Sequence, residues 1–420
     1  MDRKYLSSWV DDNRDLLIAF LQDLLRIPSV TGEEAAIQSF LADYLGREGF
    51  EVDVFVPSLD ELKKHPAFVP VSMSYDGRPN VVATLPGTGG GRSLLFNGHV
   101  DVIPEGPESN WEHGCWSGDL ADGRIYGRGA SDMKSGVAAF TMALKVLKEN
   151  GIKLKGDVIA EYVMDEELSG NGTLACVMKG YRADAGICCE TSSMNIQPAS
   201  IGRIWFEIKI KGKAAGIQKR FEGVSAIELG YQVTKIVEDF EAIRLGSVSH
   251  PLYPNIQESI PCMVGVFESG SYASAFPDEC TLKGSLATVP GEISQEVMEE
   301  FRCYIIDRAS QNPWMAQHPP QIDFVGYFAD PSEIDVKSPI VQCLAEAYRK
   351  ELGKEAAISG RQGAADIRFL NSYGQTPTVI FGPGLTEQMH ANNEWVAVDD
   401  YLNSIKVLVA TLIEWCGVES

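Results

Sequence analysis

No run of apolar residues in the 420-residue chain approaches the roughly 20 that a membrane-spanning helix needs. The opening stretch, MDRKYLSSWVDDNRD, is charged and lacks the apolar core of a secretory signal, so a cytoplasmic location is expected. Basic residues are scarce. There are 36 Lys and Arg against 58 Asp and Glu, a formal net charge of −22. That balance argues against nucleic acid and against anionic membranes as partners. The nine cysteines are scattered, odd in number and without zinc-finger spacing. Cys188 and Cys189 fall on an expected buried strand, where thiols pack as small apolar groups, although one beside Glu190 could also face a site. There is no internal repeat and no low-complexity tract. The glycine run at Gly87–Gly91 lacks the Lys-Ser/Thr ending of a phosphate loop and leads into a strand, which excludes that reading.

Present instead are alternating helical stripes and buried strands. The hydrophobic content of 45% is ordinary for a globular chain, and the length permits one to three domains around a large core. Leu16, Leu17, Phe20, Leu21, Leu24 and Leu25 form a core-facing stripe over 14–25. Further helices are predicted over 33–47, 133–149, 340–351 and 399–415. Apolar strands are predicted over 80–85, 93–98, 158–164 and 378–381. The segment 57–79 reads as an irregular excursion carrying a surface histidine, His65. Trp111, His113 and Trp116 read as packing, with a pocket wall as the alternative. Helices alternating with buried strands predict an α/β domain with a mostly parallel sheet.

The pattern changes after Glu190. Ile204, Phe206, Ile208 and Ile210 alternate with polar residues, as a half-exposed antiparallel strand requires. A helix over 224–242, strands near 263–267 and 279–288, a helix over 294–309 and a possible strand near 321–325 follow. That β-α-β-β-α order suits a ferredoxin-like α+β insert. The expected division is 1–199 with 317–420 for the larger domain and 200–316 for the insert.

Polar residues gather at the ends of the buried strands, where open α/β sheets place their ligands. His99 and Asp101 lie two apart and so share a face. Imidazole ligates metal, and a neighbouring carboxylate can orient it. Asp132 follows on a glycine-rich turn, where helix capping is the bland alternative. Asp165, Glu166 and Glu167 end one strand, Glu190 ends another, and His390 follows a third. Adjacent acids repel unless solvated or held by cations. Two histidines with three or four carboxylates suit a carboxylate-bridged pair of zinc-like ions.

The motifs NGHVDV, GRGASDMKSG, DEELSGNGT and MHANNEW, in that order, make the chain resemble the dinuclear zinc deacylases and peptidases. That family includes acetylornithine deacetylase, succinyl-diaminopimelate desuccinylase, aminoacylase and glutamate carboxypeptidase. The resemblance spans nearly the whole chain. It implies a catalytic domain of the zinc-exopeptidase type, with the insert acting as lid and homodimer surface. It implies two zinc ions per chain, for which cobalt or manganese can substitute. His99 and Glu190 would hold one, Glu167 and His390 the other, and Asp132 would bridge them. Asp101 would orient His99, and Glu166 would be the general acid/base, although sequence alone allows Glu166 and Glu167 to exchange roles. Asp165 is left as a loop acid or a support behind the ligands. The resemblance also implies a cis bond between Asp132 and Met133.

The substrate-facing positions depart from the family. Gly216 stands where relatives carry a lid histidine that binds the oxyanion or substrate. Ala365 stands where relatives carry Thr or Ser, just before Asp366 and the expected substrate contact Arg368. The stretch 284–288 lacks a substrate-binding arginine. The expected function is metal-dependent hydrolysis of an amide in a small N-acyl amino acid or related molecule. The alternatives are a dipeptidase or aminopeptidase with the same site, or a metal-binding member with weak hydrolysis or a non-hydrolytic reaction because of Gly216.

Overall fold

The strand Leu94–His99 is buried at every position and pairs on both sides with parallel neighbours, Val158–Val163 and Ala185–Cys188. A strand covered on both faces has no solvent side to make polar, which is why it reads as a continuous apolar run. In the computed structural model, which describes residues 3–419, it lies inside a nine-stranded sheet. The order is Glu51–Phe55, Asn80–Leu85, Val158–Val163, Leu94–His99, Ala185–Cys188, Thr378–Ile380, Ile196–Ser200 and Ser332–Glu333, with Ile358–Arg361 also paired to Ile196–Ser200. The four strands from Val158–Val163 to Thr378–Ile380 are mutually parallel, and the pairs flanking them are antiparallel. Helix Lys134–Glu149 packs directly on the central strand, with Phe96 and Phe140 stacked at 5.5 Å. Gly98 permits that approach, because a Cβ there would come within 3.0 Å of Met133, Phe140 and Val137.

The chain divides into two compact units. One comprises residues up to Ala199, Glu333–Ser359 and Ala365 onward; the other comprises Ser200–Ser332 and Gly360–Ala364. The insert therefore runs past the expected limit at 316. Strand Gln321–Ala329 pairs with Gly202–Lys211 and completes a four-stranded antiparallel sheet, in the order Cys262–Ser269, Glu279–Thr288, Gly202–Lys211, Gln321–Ala329. The short piece Gly360–Ala364 joins this unit through Gly360 N–H to Leu252 O at 2.8 Å and Tyr253 OH to Arg361 O at 3.2 Å. The strand order and the helices Ala226–Ser247 and Ser294–Ala309 make the ferredoxin-like arrangement. Ile204, Phe206, Ile208 and Ile210 are buried with Leu229, Val233 and Phe301.

Several local expectations need correction. Leu16 is 46% exposed, and the buried stripe of Arg14–Leu25 is Leu17, Ile18, Phe20, Leu21, Leu24 and Leu25. A helix over Arg3–Asp12 and a strand over Ile196–Ser200 were not expected. His65 is half-buried, edge-on to Tyr373 at 4.8 Å, rather than a free surface side chain. No helix among the described residues is long and apolar enough to cross a membrane.

Candidate metal centre

The acids and histidines converge at the strand ends of the larger unit. His99 closes its strand with Nε2 3.1 Å from Asp132 Oδ1 and 3.8 Å from Glu190 Oε1. The other oxygen of Asp132 lies 3.4 Å from His390 Nε2, which is 3.0 Å from Glu167 Oε2. His99, Asp132 and Glu190 thus form one group of donor atoms within 4.8 Å of one another, and Asp132, Glu167 and His390 form a second. Asp132 belongs to both and offers a different oxygen to each histidine. The peptide bond between Asp132 and Met133 is cis.

Glu166 belongs to neither group. Its Oε2 lies 3.9 Å from His99 Nε2, and 12% of its side chain is open to solvent. Asp101 serves two neighbours with different atoms. Its backbone carbonyl, rather than its carboxylate, makes the 2.8 Å contact with His99 Nδ1. The carboxylate stands 3.7 Å from that nitrogen and accepts from the backbone N–H groups of Glu166 and Glu167 at 3.1 and 3.2 Å. Thr31 Oγ1 donates to it at 2.9 Å. Asp101 therefore fixes the glutamate turn to the strand that carries His99.

The acids are buried and crowded, and their protonation shifts accordingly. Burial pushes Asp101 up to about 8 and Glu166 well above the usual carboxylate range, although His99 pulls both back. Burial and the charge of Asp132 raise Glu167. The His390 imidazole, hydrogen-bonded to Asp132 and Glu167, is pushed up to about 10. Glu167 Oε1 is buried and has no hydrogen-bond partner among the described residues. A buried carboxylate oxygen left unpaired is costly unless a proton or cation meets it. Nitrogen and oxygen donors in two sets of three, joined by one carboxylate, fit a pair of divalent ions of borderline softness.

Asp165 is fully buried and clamps the glutamate turn from behind. It accepts from Arg78 Nη2 at 2.9 Å and from Tyr75 OH at 2.6 Å, while Arg78 also pairs with Glu34 at 2.6 Å. Tyr75 and Arg78 come from the excursion at 57–79, to which the sequence reading gave no role. Glu394 was missed as well, although its motif was noted. It is buried and accepts from the N–H groups of Gly129, Ser131 and Asp132. Its one visible sign is an acid beside the apolar stretch Trp395-Val396-Ala397. Lys134, buried and lowered to about 7 by desolvation, donates to the carbonyls of Leu24 and Ile27 at the end of helix Arg14–Leu25.

The two expected substrate contacts fall in different units, Arg368 in the larger and Gly216 in the other. Arg368 is buried and donates to the carbonyls of Ser169 and Ala365 at 2.7 and 3.2 Å. Gly216 lies in the other unit, on a two-residue strand paired with Ala275–Phe276, where a Cβ would meet nothing closer than 4.0 Å. His250 occupies its own turn, with Nδ1 accepting from Leu252 N–H at 3.2 Å. Trp111 and His113 pack: the indole donates to Glu105 O at 2.9 Å, and His113 stacks on Tyr126 at 3.9 Å. Cys188 and Cys189 are buried.

Residues 95–414 match the model of the peptidase family M20/M25/M40. The chain belongs to that family. An M20/M25/M40 member of this kind is a metal-dependent hydrolase of amide bonds. This one is 30% identical to an N-formyl-4-amino-5-aminomethyl-2-methylpyrimidine deformylase of Halalkalibacterium halodurans, over 98% of this chain and 97% of the relative. It is 28% identical to a succinyl-diaminopimelate desuccinylase of Methylorubrum extorquens, over 91% of this chain and 94% of the relative. Its fold matches that of YxeP from Bacillus subtilis, a dinuclear metal-binding peptidase of the M20 family, with a TM-score of 0.66, 17% identity and 97% and 99% of the two chains covered.

Proposed function

We propose that this M20/M25/M40 member hydrolyses the amide bond of a small N-acyl amine, with two zinc ions for which Asp132 would be the shared ligand. The observation that carries the reading is the division of Asp132, whose two oxygens face two different histidines, each with its own glutamate. His99 and Glu190 would hold one ion, and Glu167 and His390 would hold the other. When bound, such a pair supplies Lewis-acid polarisation of a carbonyl and lowers the pKa of water. The chain's own residues do the rest. Glu166 stands outside both donor groups and is reachable from solvent, with its backbone held by Asp101. It takes a proton from the attacking water and delivers it to the leaving nitrogen, so that water and amide become carboxylate and amine. The seat of Arg368 against the Ser169 carbonyl supports a bracing role beside the glutamate turn.

Full-length similarity to a deformylase, together with Gly216 and Ala365 in place of side chains typical of amino-acid deacylases, favours a formyl or other short acyl group. The nine cysteines, scattered and odd in number, suit a reducing compartment such as the cytoplasm. A homodimer formed through the Ser200–Ser332 unit completes the reading. The test is a substrate panel offered to the metal-loaded protein: N-formyl-4-amino-5-aminomethyl-2-methylpyrimidine, N-acetylornithine, N-succinyl-diaminopimelate and dipeptides. Release of formate or another short carboxylate with kcat/KM above about 10⁴ M⁻¹s⁻¹ is expected. Preferential release of amino acids from dipeptides would move the protein to the peptidase branch. Inertness toward the whole panel would overturn the assignment.

A further inference from the structure

We propose that Glu394 is the positioning residue of the metal centre, setting the bridging carboxylate and the His390 segment in one fixed relation. The inference rests on the two-ion reading above. Glu394 is fully buried, and each of its oxygens takes two donors. Oε1 accepts from Ser131 N–H at 2.8 Å and from Asp132 N–H at 3.0 Å. Oε2 accepts from Gly129 N–H at 3.0 Å and from Arg128 Nη1 at 2.9 Å. The turn that presents Asp132 is therefore wound around one carboxylate. The same Arg128 nitrogen also donates to the carbonyl of Ala391, the residue after His390, at 2.9 Å. The backbone closes the loop from the other side, with Gly127 N–H donating to Glu394 O at 2.9 Å.

Arg128 and Glu394 thus join the bridging aspartate to the segment of a histidine more than 250 positions away in the chain. Neither residue is in either donor group. Their chemistry is specific. Four donors converge on two oxygens, and only a carboxylate offers acceptors on both. A glutamine would turn its NH₂ toward two of those donors, forcing the turn to open or the side chain to leave. A partner that holds a metal ligand in place typically changes affinity by about 10- to 100-fold when removed.

The experiment measures zinc affinity by chelator competition, with thermal unfolding of the metal-free protein recorded beside it. Glu394→Gln is expected to weaken both ions by roughly 10- to 100-fold, because Asp132 serves both. Arg128→Lys is expected to weaken chiefly the ion assigned to Glu167 and His390, since the Lys side chain is one bond shorter and its ammonium falls short of the Nη1 position that serves both Glu394 and the Ala391 carbonyl. A merely structural role would lower the unfolding temperature and leave the affinity of the folded chain unchanged, and that outcome overturns the proposal. If Glu394→Gln yields no folded protein, Arg128→Lys decides alone, with unchanged affinity for both ions counting against the proposal. Failure of the unmodified chain to bind two ions would instead overturn the two-ion reading.

Discussion

Glu166 and Glu167 are neighbours in sequence with different surroundings. Glu167 has one oxygen 3.0 Å from His390 and the other buried without a hydrogen-bond partner among the described residues, whereas Glu166 stands outside both donor groups. Glu166→Gln should therefore lower kcat by about 10²- to 10⁴-fold, the usual contribution of a positioned acid/base, while metal analysis still finds two ions per chain. Loss of an ion in that variant would mean that the two glutamates exchange roles. Gly216 makes a second test at this scale. Removal of one oxyanion donor costs roughly a hundredfold to a thousandfold in rate, and glycine has no side chain to donate. The site leaves room for one, since nothing lies within 4 Å of a Cβ except Gln218 Oε1 at 4.0 Å. Gly216→His should raise kcat/KM on N-acetylornithine or N-acetylmethionine by about tenfold, part of what one such donor supplies. An unmodified protein already above about 10⁵ M⁻¹s⁻¹ on either compound would refute the claim that Gly216 weakens this chemistry.

Among the elements, the turn after strand Val158–Val163 depends on distant partners. Arg78 sits between Glu34 and Asp165, and all three side chains are at most 5% exposed. Arg78→Met leaves two buried carboxylates without their cation, which costs about 3–5 kcal/mol. Chemical denaturation should show that loss, and a change below about 1 kcal/mol would mean that the network is not stabilising as argued. This network also marks the limit of what sequence can tell. The helix at Arg14–Leu25 and the strand at Glu279–Thr288 were legible to their end residues, because periodicity of burial is a local property of the chain. Helix Arg3–Asp12 buries Leu6 and Val10, too sparse a stripe to read. Strand Ile196–Ser200 contains Pro198, a residue that argues against a strand. The acids of the two donor groups were legible because Glu167 and Glu190 follow apolar strands and Asp132 lies in a glycine-rich motif before a helix. Glu34, Tyr75, Arg78 and Glu394 were not, since a buried side chain whose partner is tens or hundreds of positions away leaves no periodic trace.

For the whole molecule, the ferredoxin-like unit carries exposed apolar groups on an edge strand, Cys262–Ser269, including Val266 at 40% and Phe267 at 43% exposure. Unpaired edges and exposed apolar patches mark association surfaces. Light scattering at micromolar concentration should give twice the 45.9 kDa chain mass, and the single-chain mass would rule out a stable dimer. The central claim, however, concerns the larger unit alone. Asp132 is the one residue shared by both donor groups, so both ions should depend on it. The decisive measurement is calorimetric titration of metal-stripped protein with zinc, run on the unmodified chain and on Asp132→Ala. The account predicts two tightly bound ions in the first and neither in the second. A stoichiometry of one or less in the unmodified chain, or two ions retained without Asp132, would contradict it.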